Sequence, residues 1–189
     1  MLNNPLRIIV GTVVLAILSD AAIAEGNFYV SGAMGNADAD ISLNAQNRVY
    51  GDDDGYTLGG GYTFNQNLSL EVAYKDFGRQ SAATDCPPDF ACVALVIPLT
   101  TTADLKAISV SLIGSIPLTE KFELFGEVGI ASWDVDYEGI SSAFNTSGED
   151  LLYGAGVRWA INDNWKVFVE YGKIDLDFET AGVGMSYHF

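Results

Sequence analysis

Residues 181–189 read AGVGMSYHF. Ala181, Val183, Met185, Tyr187 and Phe189 alternate with Gly182, Gly184, Ser186 and His188. The first set is apolar and finishes in two aromatics; the second is small or polar. A period of two is the mark of a β-strand. An apolar strand left at an open sheet edge invites aggregation. A strand with lipid on one face and water on the other, paired on both sides in a closed barrel, has no such edge.

The rest of the chain repeats the pattern. It predicts strands of about ten residues, the length a tilted strand needs to cross a bilayer. They fall at 27–37, 55–65, 68–78, 103–116, 122–136, 148–161, 165–175 and 179–189. Short turns at Asn65–Asn67, Pro117–Lys121 and Asn162–Asn164 follow strands two, four and six. Longer connections, 37–54, 79–102, 138–147 and an acidic one after residue 175, follow the odd-numbered strands. Short periplasmic turns and longer outside loops are the asymmetry of an outer-membrane barrel. Eight strands suffice to close a barrel filled by its own side chains. The expected fold is all-β, an eight-stranded antiparallel transmembrane up-and-down β-barrel.

Charge parity supports it. Leu68, Leu70, Val72 and Tyr74 share one face of strand three, and Trp165, Val167, Val169 and Tyr171 one face of strand seven. Glu71, Lys75, Glu123, Glu127, Arg158, Lys166, Glu170 and His188 all take the opposite parity. A Lys or Arg facing lipid at the midplane would cost ~2–4 kcal/mol. Asp76 and Lys106 break the rule, but near outer strand ends, where that cost vanishes. Alternation alone does not say which face is wet. Phe28, Tyr62, Phe64, Phe122, Trp159, Trp165, Tyr187 and Phe189 gather at the short-turn ends, with Tyr56, Tyr74, Tyr153 and Tyr171 toward the other, as interfacial girdles require.

Residues 8–18, IIVGTVVLAIL, are apolar behind Arg7, and Ala22-Ile23-Ala24 is a small-x-small site. This predicts a secretory signal peptide over 1–24, cleaved after Ala24, and a barrel domain over 25–189. The compartment is then oxidising, so Cys86 and Cys92 are expected to form a disulfide. Neither has the partner ligands of a metal site.

The net charge of −16 excludes nucleic acid as a partner. Acids cluster at Asp52-Asp53-Asp54, Asp134/Asp136/Glu138, Glu149-Asp150 and Asp175/Asp177/Glu179. The first run offers hard oxygen ligands but lacks the spacing of a twelve-residue calcium loop. No metal or cofactor is expected. His188, the one histidine, falls at the periplasmic end, so no Ser-His-acid set can form at the outer leaflet and the chain does not read as an enzyme.

GGYTFNQNLSLE at 60–71 and GAGVRWAINDNWKVFVEY at 154–171 resemble hairpins of the OmpA transmembrane barrel, and FYVSGAMG at 28–35 and the closing GMSYHF fit the same pattern. The chain resembles the OmpA/OmpX-like eight-stranded outer-membrane barrels, without OmpA's periplasmic domain. The resemblance implies the outer membrane of a Gram-negative bacterium, with lipid and lipopolysaccharide as surroundings. It implies recognition by the barrel assembly machinery through Phe189 and Tyr187. It also implies a lumen plugged by charged side chains. Glu71, Glu127, Arg158 and Glu170 share inward parity at similar heights, so Arg158 is expected to pair with Glu127 or Glu170. The functional expectation is a structural or surface-interaction role, displaying acidic extracellular loops to an extracellular ligand or host surface. The alternative is a narrow small-solute pore or gated channel, with Gly59, Gly61, Gly182 and Gly184 leaving room in the lumen.

Overall fold

The computed structural model describes residues 28–44, 47–84, 101–138, 146–175 and 178–189. The signal peptide expected over 1–24 and the expected disulfide of Cys86 and Cys92 lie outside the described residues. Eight antiparallel strands form one closed barrel in sequence order. They are β1 (Phe28–Asn44), β2 (Asn47–Asn65), β3 (Leu68–Thr84), β4 (Thr101–Pro117), β5 (Phe122–Glu138), β6 (Thr146–Ala160), β7 (Trp165–Ile174) and β8 (Phe178–His188). β1 and β8 complete the ring, from Tyr29↔His188 to Ala39↔Phe178. Beyond the last pair, the Phe189 N–H donates to the Phe28 carbonyl at 3.0 Å.

The short turns are built by their own side chains. Asn162 Oδ1 accepts from the N–H groups of Asn164 (3.0 Å) and Trp165 (2.8 Å). Thr119 Oγ1 accepts from Lys121 and Phe122, and Asn65 Oδ1 from Asn67. These are local Asx- and ST-type closures, which suit Asn and Thr at tight turns.

The exposed face is the apolar one. Met34, Val169 and Val183 are 69%, 62% and 57% exposed, while the inward Phe125 and Phe168 are 4% and 7% exposed. A continuous exposed apolar band around a closed barrel is the surface a bilayer covers. Aromatics pair at the short-turn end: Phe28 on Tyr62, Phe122 on Trp159, Trp165 on Tyr187 and Tyr187 on Phe189, with centroids 4.9–6.1 Å apart. Tyr56 and Tyr74 meet at the other end.

The strands are longer than their sequence pattern predicts. β1 to β6 span 15–19 residues, against 10 and 11 in β7 and β8. Most of 37–54, expected as a loop, is a paired hairpin, and Asp52, Asp53 and Asp54 stand in β2 opposite Asp38, Ala37 and Asn36. Around Asp52–Asp54 the side chains carry no apolar period, while backbone pairing continues. Asp76 and Lys106, the two charges of lipid parity, prove to be register partners, and Lys106 in turn faces Asp134. The exception to the parity rule is a row of opposite charges across three strands.

Candidate functional site: the barrel interior

The lumen has two layers. At the short-turn end, the register sets Glu123 opposite Arg158. Arg158 Nη1 donates to Glu123 Oε1 at 2.6 Å, and Lys166 Nζ to Glu123 Oε2 at 3.3 Å. The Arg158 guanidinium also lies 4.4 Å over the Phe125 ring and 5.9 Å from that of Phe168, a cation–π arrangement strengthened by poor hydration. His188 stacks on Tyr29 with centroids 5.0 Å apart, and its Nε2 is 3.3 Å from Ser186 Oγ.

The expected pairing of Arg158 with Glu127 or Glu170 is corrected. Glu127 faces Gly154 and Glu170 faces Gly156 across their ladders, so the carboxylate directly beside Arg158 belongs to Glu123. Glu71, Glu127, Arg158 and Glu170 do line one cavity, with Tyr29 and Ser31. It has room for about one water. Glu71 accepts from Ser31 Oγ (3.2 Å) and Glu127 from Ser111 Oγ (3.4 Å). Arg158 Nε and the Tyr29 hydroxyl, both buried, have no hydrogen bond among the described residues.

Of the glycines expected to leave room for a solute, Gly182 approaches the Met34 backbone, and the other three are filled from within. A Cβ on Gly61 would strike the Tyr29 ring, one on Gly184 the Phe168 ring, and one on Gly59 the Ser31 hydroxyl. Each is small because a neighbouring side chain already uses its space.

Toward the outer end the lumen turns apolar. Ala37, Phe77, Ala103, Leu105, Ala107, Ala131, Val135, Leu152, Ile174 and Phe178 form one buried cluster with Trp133 packed against it. Phe77 and Trp133 both meet Phe178, at 5.7 and 5.8 Å between centroids. Lys75, only 5% exposed, lines the space beneath Phe77 with Glu170 and Thr180. The sequence reading takes the apolar face of each strand as the outward one, and around Asp104 and Lys106 the apolar Ala103, Leu105 and Ala107 are instead the inward residues, so this layer was missed.

Outside the membrane, Asp53 Oδ2 accepts from the Arg79 N–H at 2.7 Å and Oδ1 from the Asp54 N–H at 2.8 Å. The Arg79 N–H first, and then that of Asp54, hold this carboxyl below the usual aspartate range.

A ring of eight strands in sequence order with this inside-out burial is a transmembrane barrel architecture. The outer membrane protein beta-barrel domain matches residues 8–189. The chain belongs to that family. Solved structures agree on the fold. The outer membrane protein OprG of Pseudomonas aeruginosa aligns with TM-score 0.63 at 15% identity, covering 87% of this chain and 96% of OprG. Neisserial surface protein A aligns at 0.59 and 16%, covering 86% and 97%. Ail of Yersinia pestis, solved with the heparin analogue sucrose octasulfate, aligns at 0.52 and 20%, covering 88% and 100%. A search of curated proteins gives no match. This member of the outer-membrane barrel family resides in the outer membrane of a Gram-negative cell.

Proposed function

We propose that this barrel is a closed scaffold with a structural or surface-contact role, presenting an acidic outer sheet to an extracellular ligand or host surface. The observation that carries it is the filled interior: an ionic floor around Glu123, Arg158 and Lys166 beneath the apolar layer of Phe77, Leu105, Leu152 and Phe178. A permanent pore needs a continuous wet path, and eight strands leave little lumen once side chains are in place. The alternative of a narrow pore or gated channel needs both layers to move.

The charge narrows the ligand class. Asp38, Asp52, Asp54, Glu149 and Asp175 lie on or beyond the outer ends of the strands. A polyanion like that bound to Ail is a poor match for such a rim. Basic polypeptide surfaces are the better match, as are lipopolysaccharide phosphates bridged by divalent ions. The proposal includes removal of 1–24, insertion by the barrel assembly machinery, no cofactor and no enzymatic chemistry. Planar-bilayer recording on the purified mature protein tests it. The expected record is flat at physiological salt; steady unitary openings would overturn the closed-scaffold reading in favour of the pore.

A further inference from the structure

We propose that the inner cavity of the lumen is a binding site for one structural water, held by Arg158, Tyr29 and the glutamates around them. This water joins the ionic floor to the carboxylates above it.

Three observations meet at the site. Arg158 Nε and the Tyr29 hydroxyl are buried polar atoms with no hydrogen bond among the described residues. Both residues line the same cavity, together with Glu71, Glu127 and Glu170. That cavity has room for about one water. Orphaned buried polar atoms are rare in native proteins, and where side chains give them no partner an ordered water does.

The packing explains why no side chain serves these two atoms. Arg158 Nη1 is taken by Glu123, and the guanidinium lies over the Phe125 ring and near that of Phe168. Those contacts fix its plane, so Nε cannot turn toward another acceptor. The Tyr29 ring is pinned by its stack on His188, and Gly61 leaves the space that its hydroxyl uses. Tyr29 is only 5% exposed. Glu71 and Glu127 each accept one hydroxyl, from Ser31 at 3.2 Å and Ser111 at 3.4 Å, and each has a second oxygen to offer. Glu127 Oε1 reaches across the neighbouring strands: a Cβ on Gly154 would lie 3.0 Å from it, and one on Gly172 3.7 Å.

Donor and acceptor chemistry selects the ligand. The Arg158 Nε–H only donates, the Tyr29 hydroxyl has one proton to give, and carboxylates accept. The occupant therefore has to accept from the first two and donate to the glutamates. Water accepts two hydrogen bonds and donates two. An anion would meet three carboxylates. An ammonium ligand has no lone pair for the Arg158 N–H. A metal ion would face that same N–H, and among the described residues no three acid, His or Cys side chains are placed to ligate one. The link between Arg158 and the glutamates that the sequence suggested as a direct pair is thus made at one remove.

The test uses the mature barrel refolded in detergent, and its readouts do not depend on whether the barrel conducts. A high-resolution crystal structure, grown with rubidium chloride, should show one density peak within about 3.2 Å of both Arg158 Nε and Tyr29 Oη, without anomalous signal from rubidium. In solution, the Arg158 Nε proton should show cross-relaxation with a long-lived water. Tyr29→Phe keeps the ring and removes the hydroxyl. It should shorten that water's residence at least tenfold, read by oxygen-17 relaxation dispersion. A rubidium peak in the cavity, no peak at all, or a direct bond from Arg158 Nε to a carboxylate overturns the proposal. So does an unchanged residence time in a folded Tyr29→Phe barrel. If that variant does not fold, the wild-type crystal and cross-relaxation decide alone.

Discussion

Arg158 and Glu123 face each other across the β5–β6 ladder, joined at 2.6 Å with side chains only 11% and 18% exposed. Lys166 shares the same carboxylate, so one glutamate holds two cations in the floor of the lumen. Removing one partner of a buried pair costs ~3–5 kcal/mol, less where water reaches the site. Glu123→Ala strands both cations and should cost more than Arg158→Ala, which leaves Glu123 with Lys166. Urea unfolding of the two single variants and the double variant in detergent checks this. A coupling energy of at least about 1 kcal/mol is expected, and a smaller one between Arg158 and Glu170. A Glu123→Ala barrel with the wild-type midpoint would remove the pair from the account of stability.

The Asp53 contact titrates. The carboxyl is held low by the N–H of Arg79, and its stabilising effect is present above the ordinary aspartate range. It is lost as pH falls through the lowered folded-state value. The expected consequence is local, because the barrel below does not depend on this contact. Amide exchange at Arg79, measured against pH and corrected for intrinsic chemistry, should accelerate in acid. Asp53→Ala should abolish that step, and an unchanged acid step in the variant would show another group is responsible.

Cys86 and Cys92 are proposed to be bonded to each other, from their spacing and the oxidising compartment. Thiol labelling of the denatured, unreduced mature chain should give no signal. Two labelled thiols would refute the bond. Reduction should leave the barrel folded, since strand pairing among the described residues does not use either cysteine.

Phe189 packs edge-on against Tyr187 at 5.1 Å and bonds to β1 through its backbone. Its proposed role is in assembly. Deleting it should lower the amount of barrel inserted in cells several-fold, while protein refolded in detergent keeps its thermal midpoint within about 2 °C, the shift expected for a loss under ~0.5 kcal/mol. Normal insertion of the truncated chain would argue against an assembly signal at this residue.

The cost of a misplaced polar group in lipid is large, and that made most of the barrel legible. It forces Val169, Tyr171 and Val183 to one parity and Glu127, Arg158 and Glu170 to the other, so strand existence, order and facing could be read residue by residue. Where that cost disappears, legibility ended. The outer arms of β1 to β6 have no lipid to sort their side chains, and Asp52–Asp54 read as a loop. Leu105 and Ala107 flank the outward Lys106, so there the apolar residues are the inward ones, the reverse of the facing that lipid imposes lower in the barrel.

The sequence by itself determined the closed ring and the inward placement of its charges, because a period of two and the energetics of lipid act locally along each strand. Only the tertiary structure decided which charges meet. Glu123, rather than Glu127 or Glu170, holds Arg158 because the offset between β5 and β6 fixes their heights. That offset depends on turn geometry and ladder hydrogen bonds shared by two strands, neither of which carries it alone. The same is true of the Asp76–Lys106–Asp134 row, which exists only once separate strands are set side by side in register.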